Sequence, residues 1–355
     1  MPFTFDQLRI PIIQAPMAGG PSTPALAAAA IRAGGMGSLG VAYLSGERIV
    51  QDIRQTRALC AGAAGPLNVN LFMFPPAFRV DDERAAAAEA ALAPIAQRLG
   101  IAAPKLPGSA WHPPLAEQLD AIWSEQPELL SFHFGLPPPE AIQRAHDLGI
   151  AVAVTATSLH DARTIEAAGA DCIVAQGIEA GGHRGEFEVS PAPPEGPSCI
   201  ALVEAMRKDV RIPIVAAGGL MDGADIAGAL AAGAAAAQLG TAFLLCPEAG
   251  TTASYRELLR LTARYQDRTV RFTRAFSGRW AQGVENGFMH SIDPTATALP
   301  FPAQNALSGA IRTAAAQQHD AEHQSCWSGR ALHRIRELPA EQLMETLAAE
   351  LARHR

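Results

Sequence analysis

Short apolar runs alternating with alanine-rich helical patterns constrain the fold of this 355-residue chain more than any other feature. A run rich in Val, Ile, Leu and Ala is typical of a strand buried on both faces. Eight such runs predict strands at residues 11–15, 36–42, 67–71, 129–134, 151–155, 172–176, 213–217 and 235–239. Helical patterns separate most of them, for example at residues 24–32, 138–148, 159–168 and 223–232. Eight successive strand–helix units favour a closed parallel sheet over an open one, so we predict an α/β protein with a TIM (β/α)8 barrel.

Two segments interrupt this rhythm. Residues 74–126, after the third strand, contain an acid-headed alanine helix and a Pro-rich turn at 103–114, which predicts an insertion over the barrel mouth. After the eighth strand, residues 251–355 predict helices near 252–264, 303–317 and 339–352 and an irregular stretch at 273–288. We therefore expect two domains: a barrel at residues 1–250, and a helical cap at 251–355 packed on the catalytic face.

Composition restricts the partners of the chain. Hydrophobic residues make up 48% of the sequence and the formal net charge is -7, which argues against nucleic acid or an anionic membrane and favours a small molecule. The five cysteines form no CxxC pair, the ten histidines show no metal-ligand clustering, and no signal peptide or membrane span is evident. We expect a cytoplasmic protein with reduced thiols and no metal, either a monomer or a homodimer.

The segment QGIEAGGHRG, residues 176–185, follows the sixth predicted strand directly. Gly181 and Gly182 lack a Cβ, so the backbone there can adopt positive φ and lie against a flat or charged ligand. His183 comes immediately after them, and a solvated loop histidine would not explain two preceding glycines. This loop is therefore the main candidate for the chemistry, with His183 as its reactive group.

The loops after the seventh and eighth strands predict a phosphate site. Ala217, Gly218 and Gly219 lead into a helix that begins near Asp222, and the eighth strand ends in Gln238, Leu239, Gly240 and Thr241. In (β/α)8 barrels these two loops commonly hold a phosphate on free backbone N–H groups and a helix N-terminus. Either glycine pattern alone could equally be a tight turn, but the two loops together with residues 176–185 favour a ligand site.

Three further polar residues lie at the ends of predicted strands. Asn70 and Gln176 offer amide groups that could belong either to a buried hydrogen-bond network or to the edge of a heteroaromatic ring. His133 ends the fourth strand between two phenylalanines. It could be a hydrogen-bonded core histidine, although its place at the strand end favours a substrate contact.

Seven motifs together resemble the nitronate monooxygenases, formerly called 2-nitropropane dioxygenases. They lie at residues 14–20, 68–72, 131–135, 176–185, 216–219, 238–241 and 275–278. The resemblance implies that anionic nitronates, with propionate 3-nitronate as the expected physiological substrate, give one electron to a non-covalent FMN. O2 then takes the electron, and the nitronate yields a carbonyl compound and nitrite without a nicotinamide, which implies a role in detoxification.

The resemblance also implies roles for individual residues. His183 falls at the position of the catalytic histidine, and His133 and Ser277 at substrate-binding positions. The implied FMN-binding residues are Ala15, Met17, Asn70, Gln176, Gly181, Gly182, Ala217, Gly218, Gly219, Gln238, Leu239, Gly240 and Thr241. The chain departs from the family pattern at Trp280, Gln282 and Arg330, and these departures bear on the size of the substrate.

Three other interpretations compete with this one. A related FMN barrel that uses NAD(P)H, an enoyl-acyl-carrier-protein reductase or a quinone reductase, also carries Gly-Gly-His after the sixth strand. A dehydrogenase of the inosine-monophosphate type needs a nucleophilic cysteine in the same loop, and residues 176–187 contain none. A non-catalytic barrel that binds flavin or phosphate is the third, and it predicts no activity that depends on His183.

Overall fold

The computed structural model describes residues 3–63, 65–108 and 111–354. Ser109 and Ala110 of the predicted Pro-rich turn lie outside the described residues, as do residues 1, 2, 64 and 355 of the predicted domains. The strands are β1 (Ile12–Gln14), β2 (Gly37–Gly40), β3 (Leu67–Phe72), β4 (Leu129–His133), β5 (Ala151–Ala156), β6 (Cys172–Gln176), β7 (Gly182–His183), β8 (Ile214–Ala217), β9 (Ala236–Leu239), β10 (Val270–Thr273) and β11 (Ala281–Val284).

Eight of these strands form one parallel sheet. Its order is β1-β9-β8-β6-β5-β4-β3-β2, and each of the eight predicted strands overlaps one of them. A parallel bridge between Ile13 and Met36 joins the two ends of the sheet, supported by hydrogen bonds from Gln14 N to Met36 O and from Met36 N to Ile12 O. The predicted TIM barrel is therefore confirmed, with its weakest ladder between β1 and β2.

The barrel strands are buried on both faces, as their continuous apolar runs predict. On β6, Cys172 and Val174 belong to the cluster that fills the barrel, whereas Ile173 and Ala175 pack against the outer helices. Alternation of side chains along a strand produces this division. Because both faces are covered, polar side chains are concentrated at the strand ends, where the loops meet.

The helices are α1 (Pro24–Arg32), α2 (Gly46–Leu59), α3 (Asp82–Arg98), α4 (Leu115–Glu125), α5 (Pro139–Asp147), α6 (Leu159–Ala167), α7 (Cys199–Met206), α8 (Gly223–Ala232), α9 (Ala253–Tyr265), α10 (Gly287–Ile292), α11 (Ala303–Gln317) and α12 (Ala340–Ala352). Local sequence explains several boundaries. Thr23 caps α1 through Leu26 N, with Pro24 at the first helical position where its missing N–H costs nothing. Asp222 and Asp225 form a capping box at the start of α8.

The two helices of the predicted insertion have different surroundings. Helix α3 contributes Leu92 and Ile95 to a second hydrophobic core shared with Phe288 and Ile311 of the C-terminal segment. Helix α4 instead packs beside α2 in the outer layer of the barrel, where Arg54 pairs with Glu125. The segment thus contains an added helix followed by an ordinary barrel helix.

The last helix, α12, also belongs to the barrel layer. It packs between α1 and α8, where Arg32 pairs with Glu341 and Gly223 N donates to Glu350. The expectation that all of residues 251–355 cap the catalytic face therefore needs correction, because the apolar stripe of α12 (Leu343, Met344, Leu347 and Leu351) completes the ring of outer helices. We retain a boundary near residue 250 only as a proposal.

The stretch 273–288, predicted to be irregular, is instead ordered by strand pairing. Strands β10 and β11 form an antiparallel hairpin, and β11 pairs in turn with β7, the short strand that carries His183. Pairing with partners distant in sequence overrides the weak local propensity of this glycine-containing segment. All five cysteines lie among the described residues and are buried free thiols. No helix in the described ranges is both long and apolar enough to cross a membrane.

Candidate functional site

A cavity of about 600 Å³ opens at the C-terminal ends of the barrel strands. The C-terminal segment, through Ser277, α11 and Trp327, forms the opposite wall. Every predicted site residue contributes to the wall, namely Ala15, Met17, Asn70, His133, Gln176, Gly181, Gly182, His183, Ala217, Gly218, Gly219, Gln238, Leu239, Gly240, Thr241 and Ser277. The fold thus brings together residues as distant in the sequence as Ala15 and Ser277.

The backbone of His183 is fixed from both sides. In the β7–β11 ladder, His183 is opposite Ala281. Its carbonyl oxygen accepts hydrogen bonds from Gln176 Nε2 at 2.9 Å and from His133 Nε2 at 3.1 Å. Gln176 Oε1 accepts from Gly185 N at 2.8 Å, so this one amide clamps both ends of the turn. The position of the imidazole is therefore set by the structure around it and does not require a ligand.

Ser277 fixes the protonation of the His183 ring. His183 Nε2 lies 2.9 Å from Ser277 Oγ, and this hydroxyl donates its only proton to the carbonyl oxygen of Arg279 at 3.1 Å. In this arrangement Ser277 Oγ accepts from His183, and the Nε2 atom of the neutral ring carries the hydrogen. Nδ1 is left with a free lone pair and, within the described parts of the chain, has no hydrogen-bond partner.

The surroundings of His183 are apolar and disfavour charge on the ring. The rings of Phe72, Phe134, Phe301 and Trp327 have centroids between 5.5 and 6.0 Å from the imidazole centroid. Burial lowers the pKa of His183 to about 3, and electrostatic interactions with His133, Arg279 and Arg312 lower it further. At neutral pH the imidazole is therefore uncharged and acts as a hydrogen-bonding group or a base.

His133 supports His183 through its own hydrogen bonds. Its Nε2–H donates to the carbonyl oxygen of His183, so its Nδ1 accepts from Thr155 Oγ1 at 2.9 Å. Burial also lowers the pKa of His133 to about 3. Because both ring nitrogens are occupied within the protein, only ring carbons remain for a ligand. We propose that His133 positions His183, while its predicted contact with substrate stays a prediction.

The two glycines before His183 are required for different reasons. Gly182 has φ = +75°, a conformation that residues with a Cβ rarely adopt. Gly181 has no positive φ, but a Cβ there would collide with the backbone of Ser328 and Gly329. The sequence prediction assigned positive φ to both positions, whereas at Gly181 the constraint is a close approach by the C-terminal segment.

The predicted phosphate site, residues 217–219 and 238–241, is called the cradle below. Its available hydrogen-bond donors lie in the two loops and not at the N-terminus of α8, which was also predicted to supply them. Among the described residues, the backbone N–H groups of Gly218, Gly219, Gly240 and Thr241 donate to no protein acceptor. The N-terminus of α8 is already occupied, because Asp222, Asp225 and Glu350 accept from the backbone N–H groups of residues 221–225. The prediction that this helix N-terminus offers free N–H groups is therefore wrong. The N–H groups of the two loops remain available to bind a phosphate.

Sequence reasoning missed residues of the cavity wall in and beside α11. Asn305, Gly309 and Arg312 line the cavity on one side of this helix, and Tyr43 and Trp327 also contribute to the wall. The sequence predicted α11 only as a cap helix. A signal was present, because Arg312 follows Leu307 and Ile311 of the buried stripe without a nearby acid in sequence.

The residues that depart from the family pattern serve structural roles. Gln282 is fully buried, and its Nε2 donates to the carbonyl oxygens of Ile178 and Ala180 at 3.2 and 2.8 Å. Arg330 Nε donates to Gln282 Oε1, and the Trp280 ring nitrogen donates to Ser190 O. Gln282 and Arg330 thus brace the loop before His183, and Trp280 holds the segment after it. None of the three side chains lines the cavity, so the proposed effect on substrate size would have to be indirect.

Comparison with known proteins places the chain in a family. A family model described as Nitronate monooxygenase matches residues 3–350. The nitronate monooxygenase of Paraburkholderia phytofirmans is 41% identical over 353 residues, which cover 96% of this chain and 92% of the relative. The nitronate monooxygenase of Pseudomonas aeruginosa is 41% identical over 348 residues, covering 96% of each chain.

Solved structures agree with this assignment. Nitroalkane oxidase from Streptomyces ansochromogenes superposes with a TM-score of 0.89 at 39% identity, covering 99% of this chain and 98% of the other. FabK from Thermotoga maritima gives a lower TM-score of 0.74 at 26% identity, with coverage of 98% and 94%. Matches that span nearly the whole chain, in sequence and in structure, lead to one conclusion: the chain belongs to the nitronate monooxygenase family of oxidoreductases.

Proposed function

We propose that this protein is an FMN-dependent nitronate monooxygenase that oxidises alkyl nitronates, including propionate 3-nitronate, with O2 to a carbonyl compound and nitrite. One observation carries the proposal. The same cavity contains a neutral imidazole at His183, held by hydrogen bonds, and backbone N–H groups at residues 218, 219, 240 and 241 that have no acceptor in the described part of the chain. Bound FMN would supply the one-electron chemistry that ordinary side chains lack.

The free donors suit a phosphate group. Gly218 and Gly219 have φ values of +122° and +73°, which orient successive N–H groups in ways that residues with a Cβ rarely permit. A Cβ at Gly218 would lie 3.2 Å from Ala180 N and would narrow the cradle. We propose that these glycines, with Gly240 and Thr241, bind the phosphate of FMN, because oriented backbone N–H groups form anion-binding concavities.

Contacts with the flavin ring are proposed for residues on the barrel side. Asn70 Nδ2 donates to Ser131 Oγ at 2.9 Å, which fixes the amide and leaves its oxygen available to accept from a ring N–H. Gln176 is already engaged through both amide atoms, so its proposed contribution is to hold the turn at His183. Ala15 and Met17 also line the cavity, beside Gly240, and would supply apolar contacts there.

His183 is proposed as the catalytic residue that contacts the substrate. Its free Nδ1 lone pair can accept a proton from the α-carbon of a neutral nitroalkane, while the apolar rings around it exclude water. Anionic nitronates need no such proton transfer. For them, the neutral ring would orient the reacting carbon, and its proximity is the main contribution expected.

The direct test uses the visible spectrum and nitrite formation. We expect the purified protein to be yellow with bound FMN, and to release nitrite when mixed with propionate 3-nitronate under air. Anaerobic bleaching of the flavin by the nitronate, but not by NADH, is the expected companion result. A colourless protein that does not bind added FMN would contradict the proposal, and bleaching by NADH alone would favour the reductase alternative.

A further inference from the structure

Arg312 is a cation held in the cavity wall by uncharged groups. Its Nη2 donates to the backbone oxygen and to Oδ1 of Asn305 at 2.8 and 2.9 Å, and its Nε lies 3.2 Å from Ser308 Oγ. Both partners lie on the preceding turns of α11, so the helix itself orients the guanidinium. The two N–H groups of Nη1 donate to no acceptor within the described residues.

The charge of Arg312 has no counter-ion among the residues that the structure describes. No carboxylate in the described ranges forms an ion pair with it, although ten other arginines of these ranges do form one, for example Arg271 with Glu285 and Asp293. Burial lowers the pKa of Arg312, which reflects the cost of keeping this charge away from water. An enclosed cation is normally paired, so the missing partner is a feature to be explained.

Tyr43 lines the same cavity and carries a second unsatisfied group. Its hydroxyl oxygen is buried and has no hydrogen-bond partner in the described structure. Arg312 lines the same cavity of about 600 Å³. Burial raises the pKa of the Tyr43 phenol well above its usual value, and the charge of Arg312 acts in the opposite direction. The neutral hydroxyl can donate to an anion, and its ring is held edge-on against Phe72 at 5.6 Å between centroids.

We propose that the Arg312 guanidinium and the Tyr43 hydroxyl together bind a second anionic group, a carboxylate, at the end of the substrate remote from the reacting carbon. A carboxylate would satisfy the free Nη1 donors and the phenol, and would neutralise the enclosed charge. The pair would thus select nitronates that carry a carboxylate over plain alkyl nitronates. The inference rests on the proposed function and assigns its substrate specificity to two residues that the sequence motifs did not include.

The first test compares two substrates in matched variants. We expect kcat/KM for propionate 3-nitronate to exceed that for propyl 1-nitronate, which has the same chain length without the carboxylate. Arg312→Met should reduce the ratio of the two values by roughly 30-fold or more, because a charge-assisted contact is lost. Arg312→Lys should restore part of the ratio, and Tyr43→Phe should reduce it by roughly fivefold.

A control and a binding measurement separate specificity from folding and from activity. Arg264→Met makes the same change in charge at an exposed position on α9, outside the cavity, and should leave the ratio unaltered. Calorimetric titration of the holoprotein with succinate, a dianion of similar length, should give a Kd at least tenfold weaker in Arg312→Met than in the original protein.

The outcomes are distinguishable. Equal losses on both nitronates, or no preference in the unmodified protein, would overturn the anion site while leaving the proposed function intact. If no nitronate is turned over, the proposed function fails, and succinate binding then decides the anion site alone: weaker binding in Arg312→Met supports it, and unchanged binding overturns it.

Discussion

The two ends of the cavity are built in different ways. The cradle at residues 217–219 and 238–241 consists mainly of backbone groups at the ends of two neighbouring strands, β8 and β9. The His183 end consists of side chains from β3, β4, β6 and the C-terminal segment. A backbone cradle needs only glycines at defined positions, whereas an oriented imidazole needs packing and hydrogen bonds from several elements. The first can be read from sequence, and the second depends on tertiary contacts.

Replacing His183 is the strongest way to separate the two ends. Because the proposed reaction depends on this ring and the cradle does not, His183→Asn should retain FMN while nitronate turnover falls by roughly 10²-fold to 10⁴-fold. Flavin content from the visible spectrum and nitrite release would be measured on the same preparation. Undiminished turnover would refute the catalytic role, and loss of flavin would show that the two ends are not independent.

Gly218→Ala should affect the opposite end. A Cβ at φ = +122° and 3.2 Å from Ala180 N would distort the cradle, so we expect FMN affinity to fall by roughly 30-fold, equivalent to about 2 kcal/mol. Fluorescence titration of apoprotein with FMN measures this change. Gly228→Ala provides the control. Gly228 is an exposed glycine of α8, a Cβ placed there would meet open space, and the variant should keep the original affinity for FMN.

Ser277→Ala tests the fixed tautomer of His183. Removing the hydroxyl leaves Nε2–H without its acceptor, so the ring can reorient, and we expect kcat to fall by roughly tenfold while FMN affinity is retained. Ser277→Thr, which keeps the hydroxyl, should recover most of the loss. An equal loss in both variants would indicate that packing, and not the hydrogen bond, is the relevant property.

Acidification should lower the free energy of unfolding, because His133 and His183 are buried in their neutral form. Since the pKa of each is lowered to about 3, the unfolded state binds more protons than the folded state between that value and 6.5. Stability must then decrease as the pH falls, by about 1 kcal/mol per pH unit for each histidine. Urea denaturation at pH 7, 6 and 5 measures the slope. His133→Gln should reduce the slope, and a slope as steep as before would contradict the assignment.

The success and failure of the sequence predictions follow this contrast. All eight barrel strands were predicted because strands covered on both faces have continuous apolar runs, a local signal. The glycines of the cradle were also predicted from a local signal, their position directly after a strand, and they line the cavity. The hairpin of β10 and β11 was missed because its pairing with His183 joins segments nearly a hundred residues apart, and neither strand has a strong pattern of its own. The position of α12 was missed because an amphipathic helix does not reveal which surface it covers.

The sequence by itself determined the barrel, the glycine-rich loops and the candidate imidazole, because periodicity and glycine positions act through local backbone preferences. Only the tertiary structure decided that carboxylates of α8 and α12 occupy the N-terminus of α8, and that His133 and Ser277 orient His183. It also decided that Arg312 lines the cavity without a counter-ion among the described residues. These features depend on contacts between residues that are distant in the sequence. They arise when packing removes water and forces each polar group to find a partner, or leaves it available for a ligand.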